Sequence, residues 1–475
     1  MSAEIKIGKL YITRGDLVLA VLVIPVALAI ALLPTAWIVL GMIGTGLFAF
    51  VLLRPQYAVA LLAFMVPFGT LRGMTVSGFT VGGTEMLIAL LAFAWYARMV
   101  ADREIRIVCP PIAFPLVFLL VIMVASVLAS TAAEPAVKEI IKWGEVLFVC
   151  LFVANVVDRE AARWLVLGLL VAGTLEGLYG IYQFGRSIGP EEFVLFGRFM
   201  RASGHFYQPN PFGGYMGLTL PLAYGLLLAG LSTTHEGRPT AVTWAAAVVG
   251  CTVMGAALVM SWSRGAWLGF GVAALAVTLA HSRRTLLLGL LGLVLIGLFL
   301  LLGDAALLPE SLIQRVVDFV PYLSGVDIQA VEVTDANFAI LERLAHWKAA
   351  WDMFSDHPWF GVGIGNYPVV YERYAIPRWQ DPLGHAHNYY LNTLAEMGLV
   401  GLGAYVLFVG AALATAWKAV RCSQGYWHGV ALGAFGMFMH LSVHNFFDNL
   451  YVHSMGVQVG LLLGVIWLIC RRAET

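Results

Sequence analysis

Runs of about twenty apolar residues, closed by charges, glycines or prolines, recur from Leu17 to Cys470. A helix of about 20 mainly apolar residues crosses the hydrocarbon of a bilayer. On that length the pattern predicts spans near 16–33, 36–53, 56–70, 85–100, 111–130, 140–157, 164–184, 212–231, 241–262, 265–280, 285–302, 390–417, 427–446 and 449–470. That is fourteen, and because several are short, twelve is an equal reading. Both counts are even and put the two termini on one side. Met1 to Thr13 is polar and no cleavage site follows the first apolar run, which reads as an anchor and not a removable leader. The fold class expected is an all-α polytopic membrane protein with about 12–14 transmembrane helices.

Two connections break the rhythm. One runs from Gly185 to Pro211, the other from Gly303 to about Asn388, and connections as long as the second usually carry function. Within it, Asn337 to Ser355 has a helical period that puts Leu341, Leu344, Trp347, Ala350, Trp351 and Phe354 on one face. This predicts an amphipathic helix lying on the membrane or capping the bundle. The chain accordingly divides into a bundle at 1–302, a loop at 303–388 and closing helices at 389–475.

Composition agrees with this picture. The chain is 60% hydrophobic and 12% charged, about half the charge of an ordinary soluble domain. The 28 basic residues balance the 28 acidic ones, which leaves no case for nucleic acid as a partner. Their placement is more telling than their sum. With the N-terminus inside, the cytoplasmic side collects 16 of the 28 basic residues, against seven in the short connections of the other side. Positive-inside bias therefore places both termini in the cytoplasm and both unusual connections outside. The five cysteines (Cys109, Cys150, Cys251, Cys422 and Cys470) have no CxxC spacing and read as small apolar residues in or near spans.

Candidate chemistry concentrates in the outer connections. His385-Ala386-His387-Asn388 opens the helix after the long loop. A histidine there suits a general base near neutral pH, and Asn388 suits a helix cap. An interfacial histidine that only hydrogen-bonds, or a metal-binding HxH pair, fits the same residues. No cysteine or acidic cluster of ligand spacing accompanies the pair, so no metal is assigned. Arg264, in Ser263-Arg264-Gly265-Ala266, lies between two apolar runs with almost no loop around it. An arginine there pairs, faces a wet cavity, or snorkels to the interface. Arg198 and Arg201 belong to the other outer connection, whose glycines and prolines predict a shaped turn. Arginines gathered on one face suit a polyanion such as a diphosphate, which guanidinium groups hold by paired hydrogen bonds. No DxD pair for a divalent ion occurs in the chain, so in a transfer from a polyprenyl diphosphate the arginines would stabilise the departing charge.

Four stretches carry a resemblance to a known family. They are Arg201-Ala202-Ser203-Gly204-His205-Phe206 with Pro209-Asn210; Ser263-Arg264-Gly265-Ala266; Arg343-Leu344-Ala345-His346-Trp347 continuing to His357-Pro358 and Gly361-Val362-Gly363-Ile364-Gly365-Asn366; and His387-Asn388 followed by Gly398-Leu399-Val400-Gly401. Together, across 198–401, the chain resembles the O-antigen ligase and O-antigen polymerase superfamily of bacterial inner-membrane proteins. The resemblance implies a glycosyltransferase that needs no cofactor and takes an undecaprenyl-diphosphate-linked glycan as donor. It implies His387 as the base and Arg201, Arg264 and, less directly, Arg343 as diphosphate ligands, with His385, Asn388 and Arg198 in support. A ligase passes the glycan to lipid A-core, a polymerase to a second lipid-linked repeat; the histidine spacing leans to the ligase. The rival class is a transporter or flippase for lipid-linked sugars, which would need charges along a path between the two sides. Glu145 and Glu176 are the main acids within spans.

Overall fold

In hydrocarbon a backbone can satisfy its polar groups only internally, so long apolar runs become helices. A computed structural model describes residues 34–69, 82–231, 239–302 and 327–471 apart from 335–336, with short stretches at 5–7, 10–12, 74–76 and 79–81 and the single residues Gly237, Arg315 and Tyr322. The expected span at 16–33 and most of 303–326 lie outside the described residues. The main helices are α1 (Thr35–Leu53), α2 (Gly83–Asp102), α3 (Ala113–Ser126), α4 (Ala133–Val156), α5 (Arg159–Arg186), α6 (Pro209–Leu231) and α7 (Ala241–Met260). Then come α8 (Arg264–His281), α9 (Arg283–Leu302), α10 (Phe338–Asp356), α11 (Tyr389–Cys422), α12 (Gly425–His444) and α13 (Met455–Arg471). Strands among the described residues are confined to three two-stranded ribbons. The protein is an all-α polytopic membrane protein.

The expected spans coincide with helices, with three instructive differences. The run at 56–70 is broken into Pro55–Ala58, a tight turn at Val59–Leu61, and Leu62–Phe68 with Pro67 inside it. The last span starts at Met455, not 449, because His453 and Ser454 turn with φ of 49° and 59°. Six helices (α1, α2, α5, α6, α7 and α11) are long and apolar enough to cross a membrane on that basis alone. The twelve to fourteen expected exceed that number partly because α3 and α13 are short. In addition, α4 carries Glu134, Lys138, Glu139, Lys142 and Glu145 in its first half.

The centre of the bundle is α12, which lies against α6 and α8, while α4 packs on α13 and α7 on α5 and α6. Without a hydrophobic drive between helices in lipid, close association depends on small residues that let backbones approach. At the α6–α12 seam a Cβ on Gly225 would lie 2.3 Å from Gly429 O, and one on Gly433 2.4 Å from Leu222 Cα. By contrast α1 leaves Trp37, Leu40, Met42 and Ile43 exposed, as a lipid-facing helix should.

Helix α11 is interrupted at Gly398, where φ is 63° and ψ −163°. A break in a spanning helix needs new partners for the freed backbone groups. The segment after α10 supplies them: Val362 N donates to Ala395 O at 2.9 Å, Gly363 N to Glu396 O at 2.8 Å, and Leu399 N to Pro358 O at 2.9 Å. Gly361 has φ of 65°, and a Cβ there would lie 2.2 Å from Glu396 C. Only glycine fits. The glycine turn thus docks the long loop onto the interrupted helix.

Helix α10 matches the expected element, but its buried face shares only Leu341 and Ala350 with the expected stripe. Leu341, Ala345, Ala349 and Met353 are buried, whereas Trp351 is 52% exposed. The i, i+4 row of small residues lets α10 lie close against α11. Leu344 and Trp347, from the expected stripe, line a cavity instead.

Candidate functional site

The end of the bundle beneath α10 holds a cavity of about 630 Å³. Its wall includes Arg264, Arg315, Arg343 and Asp448 as charged groups, and Trp267, Leu268, Ile340, Leu344 and Trp347 as apolar ones. Each cation comes from a different element. Arg264 is the first residue of α8, reached through a sharp turn in which Trp262 has φ of 51°. Arg315 reaches in from the long loop and donates from Nε and Nη2 to Trp262 O, at 3.4 and 3.2 Å. Arg343 lies on α10.

Arg201 stands behind this wall. It donates from Nε to Ser261 O at 2.9 Å and from Nη2 to Asn210 Oδ1 at 2.8 Å, and Asn210 itself lines the cavity. Burial pulls the Arg201 pKa well down, and Arg315, Arg343 and Arg264 add to the effect while Asp448 opposes it. A guanidinium does not give up its proton in a protein. Burial is the main cause of the shift, and the gathered cations add a repulsion that a bound anion would relieve. Arg198 is not brought to this group; it is exposed and lies over the Phe199 ring at 5.2 Å.

The loop that delivers Arg201 is clamped from below. Glu176, wholly buried on α5, accepts from His205 N at 2.7 Å and meets His205 Nδ1 at 2.6 Å. Gln183, two turns on, accepts from Gly204 N at 2.7 Å. Glu145 borders a separate cavity of about 60 Å³ together with Glu85, Glu139 and Lys142.

At the cavity's edge, His387 Nδ1 lies 3.3 Å from Asp448 Oδ1. His387 N donates to His385 Nδ1 at 3.0 Å, so the proton of a neutral His385 sits on Nε2, which faces Asp448 Oδ1 at 3.9 Å. Burial opposes ionisation of Asp448. The hydrogen bond from His387 and the positive potential of His387, His385 and Arg343 outweigh it and hold the carboxyl well below the usual range. Burial, with His387 beside it, lowers His385 to about 4, and the same causes lower His346 to about 4. His346 sits edge-on to His387 at 5.9 Å between ring centroids, with its Nδ1 2.8 Å from Tyr367 Oη.

His387 has φ of 50°. A non-glycine residue there costs on the order of 1–3 kcal/mol and persists where surroundings impose it, often at functional sites. Two contacts impose it here. Asn388 caps α11, its Oδ1 accepting from Leu391 N at 3.1 Å, and Tyr389 N donates to Asn445 O at 2.8 Å. The second bond ties α11 to the turn that carries Asp448.

His385, His387 and Asp448 offer ligand atoms within 4.8 Å of one another, a donor set that suits a divalent cation by type. The arginines crowding Asp448 work against further positive charge. A histidine oriented by a carboxylate accounts for the same contacts.

Comparison with known proteins adds one finding. Residues 249–406 match the family model described as O-antigen ligase. Over those residues the chain is similar to the O-antigen ligase superfamily. No curated protein matches the chain. An O-antigen ligase-type or polymerase-type membrane glycosyltransferase works on a lipid-linked glycan and an acceptor. The matched segment contains Arg264, Arg315, Arg343, His346, His385 and His387, whereas Arg201 and Asp448 lie outside it. The fold brings Asp448 into the cavity wall and Arg201 behind it, against Asn210 of that wall.

Reading the sequence missed Asp448 and Arg315. Asp448 had a signal, being an acid in the two-residue gap between the expected spans 427–446 and 449–470. Arg315 had none, since nothing in its neighbourhood marks it among the loop's basic residues. Arg343 lines the cavity, while Asp352, on the same helix, is held by Lys348 at 2.6 Å.

Proposed function

We propose that this protein is a metal-independent, inverting glycosyltransferase that moves a glycan from undecaprenyl diphosphate to an acceptor hydroxyl. In this reading it sits in a bacterial inner membrane with both termini in the cytoplasm and the cavity open to the outer side. The observation that carries it is the pairing of a cation-lined cavity with a carboxylate-oriented histidine at its edge. Asp448 takes the Nδ1–H of His387, which leaves the lone pair of Nε2 for the acceptor. The acceptor oxygen attacks the anomeric carbon as His387 Nε2 removes its proton. The bond from that carbon to the diphosphate oxygen breaks, and the leaving diphosphate remains against Arg201, Arg264, Arg315 and Arg343. Arg201 and Arg315, already fixed by backbone carbonyls, stabilise that charge without reorganising. The apolar wall of Trp267, Leu268 and Leu344 suits the first isoprene units of the carrier.

The ligase reading, with lipid A-core as acceptor, leads; a polymerase that extends a second lipid-linked repeat uses the same chemistry. A flippase fits less well, because Glu176, the wholly buried acid of α5, is bound to His205 and serves the loop that carries Arg201. The test is transfer by the purified protein in EDTA from an undecaprenyl-diphosphate glycan, with lipid A-core or a second donor molecule offered separately. A single product on lipid A-core supports the ligase, and a ladder of lengthening chains supports the polymerase. Absence of transfer to either, with donor crossing a vesicle membrane, would replace this reading by the flippase.

A further inference from the structure

One polar residue of the cavity wall has no part in the chemistry above. His444 is the last residue of α12, is 1% exposed, and lines the cavity one turn before Asp448. A Cβ on Gly214 of α6 would lie 3.2 Å from His444 Cε1, and one on Gly265 of α8 would lie 3.0 Å from Cδ2 and 3.2 Å from Nε2. Only glycines leave the imidazole room between those helices. On its inner side Nδ1 lies 3.3 Å from Nε2 of His440, itself 0% exposed. Nδ1 is thus committed. No hydrogen bond is recorded for Nε2 among the described residues, and it lies beside Gly265, the neighbour of Arg264 in the cavity wall.

The orienting partner sets what each histidine does. His387 faces a carboxylate, which takes its Nδ1–H and leaves Nε2 a base. His444 faces a neutral imidazole, with which it shares one proton. If that proton belongs to His440 Nε2, His444 Nδ1 accepts it and His444 Nε2 carries a hydrogen toward the cavity. An anion among the arginines selects this arrangement, because an outward lone pair would repel it. We propose that His444 is a donor-binding residue whose Nε2–H hydrogen-bonds a diphosphate oxygen alongside the arginines, in a tautomer fixed by His440. The inference rests on the reading of the cavity as the diphosphate site.

The test is binding of undecaprenyl diphosphate to the purified full-length protein in detergent, with melting temperatures measured alongside. The variants are His444→Ala, His444→Asn, His444→Gln and Arg264→Ala. A glutamine amide N–H reaches the place of Nε2, whereas an asparagine amide stops near Nδ1. The expected result is a Kd weakened about tenfold in His444→Ala and His444→Asn, the cost of one hydrogen bond to an anion. His444→Gln should stay within about threefold of the parent, and the donor KM should rise in the alanine variant while the acceptor KM holds. Equal binding by the asparagine and glutamine variants would overturn the proposal, since packing alone would then explain the residue. So would His444→Ala binding like the parent while Arg264→Ala loses affinity. If Arg264→Ala binds like the parent, the reading of the cavity falls and this inference with it.

Discussion

Two histidine–carboxylate pairs sit at the same end of this molecule and do different work. In one, His205 Nδ1 meets Glu176 at 2.6 Å, its backbone N–H donates to the same carboxylate, and its ring is stacked on Tyr179 at 4.3 Å with Phe68 edge-on at 5.2 Å. In the other, His387 Nδ1 meets Asp448 at 3.3 Å, and the pair borders a cavity with arginines in its wall. The shorter pair is the structural one. A carboxylate partner therefore does not make a histidine a base. On the proposed reading, the cavity with arginines in its wall beside Asp448 makes the difference.

The strongest way to break this comparison is to remove the negative charge from each pair. Asp448→Asn should keep the fold but offer His387 the wrong hydrogen-bond partner, and transfer should fall about 10³–10⁴-fold, as for other carboxylate-oriented histidines. Initial rates at saturating donor read this directly, and a loss under tenfold would deny Asp448 its role. Arg264→Lys comes next. A point charge cannot reproduce paired guanidinium contacts, so donor affinity should weaken at least tenfold, whereas parental turnover would argue for a merely snorkelling arginine.

Glu176→Gln makes at the first pair the change that Asp448→Asn makes at the second. It should lower stability by about 2 kcal/mol through a strained buried hydrogen-bond set and raise the donor KM a few-fold by loosening the loop that holds Arg201. The kcat should change much less than in Asp448→Asn; an equal fall in kcat would erase the distinction between the pairs. The smallest effect concerns pH. His346 and His385 are held at about 4 in the folded protein, against about 6.5 in an unfolded chain. Between those values the unfolded state binds more protons, so stability is full above about 6.5 and is lost as pH falls toward 4. The Tm should therefore drop between pH 7 and pH 4.5, and His346→Gln should flatten the drop.

How much of this was legible in the sequence follows from what is local and what is not. Helices were readable because length and hydropathy are local properties, and α10 began within a residue of its expected start. Its buried face was misread because two apolar rows run along it, and only the close approach of α11 chooses the one with alanines. The site was readable wherever a residue's type was out of place in an apolar chain, as with Arg264 and His387. Arg315 and the His444–His440 pair were not, and Asp448 only as an acid in a short gap between spans, since their meaning comes from helices distant in sequence. The break at Gly398 was equally hidden, because the chain that satisfies its backbone comes from Pro358 to Gly363.

The central claim, that chemistry and donor binding rest on separate groups of one cavity, is tested by a single variant. His387→Ala, loaded with undecaprenyl-diphosphate glycan, should hold the donor within about threefold of the parental Kd, a difference under about 1 kcal/mol. In the same sample, single-turnover transfer should fall by about 10²–10⁴, the range for a positioned general base. Transfer at the parental rate, or donor binding lost together with it, would contradict the account.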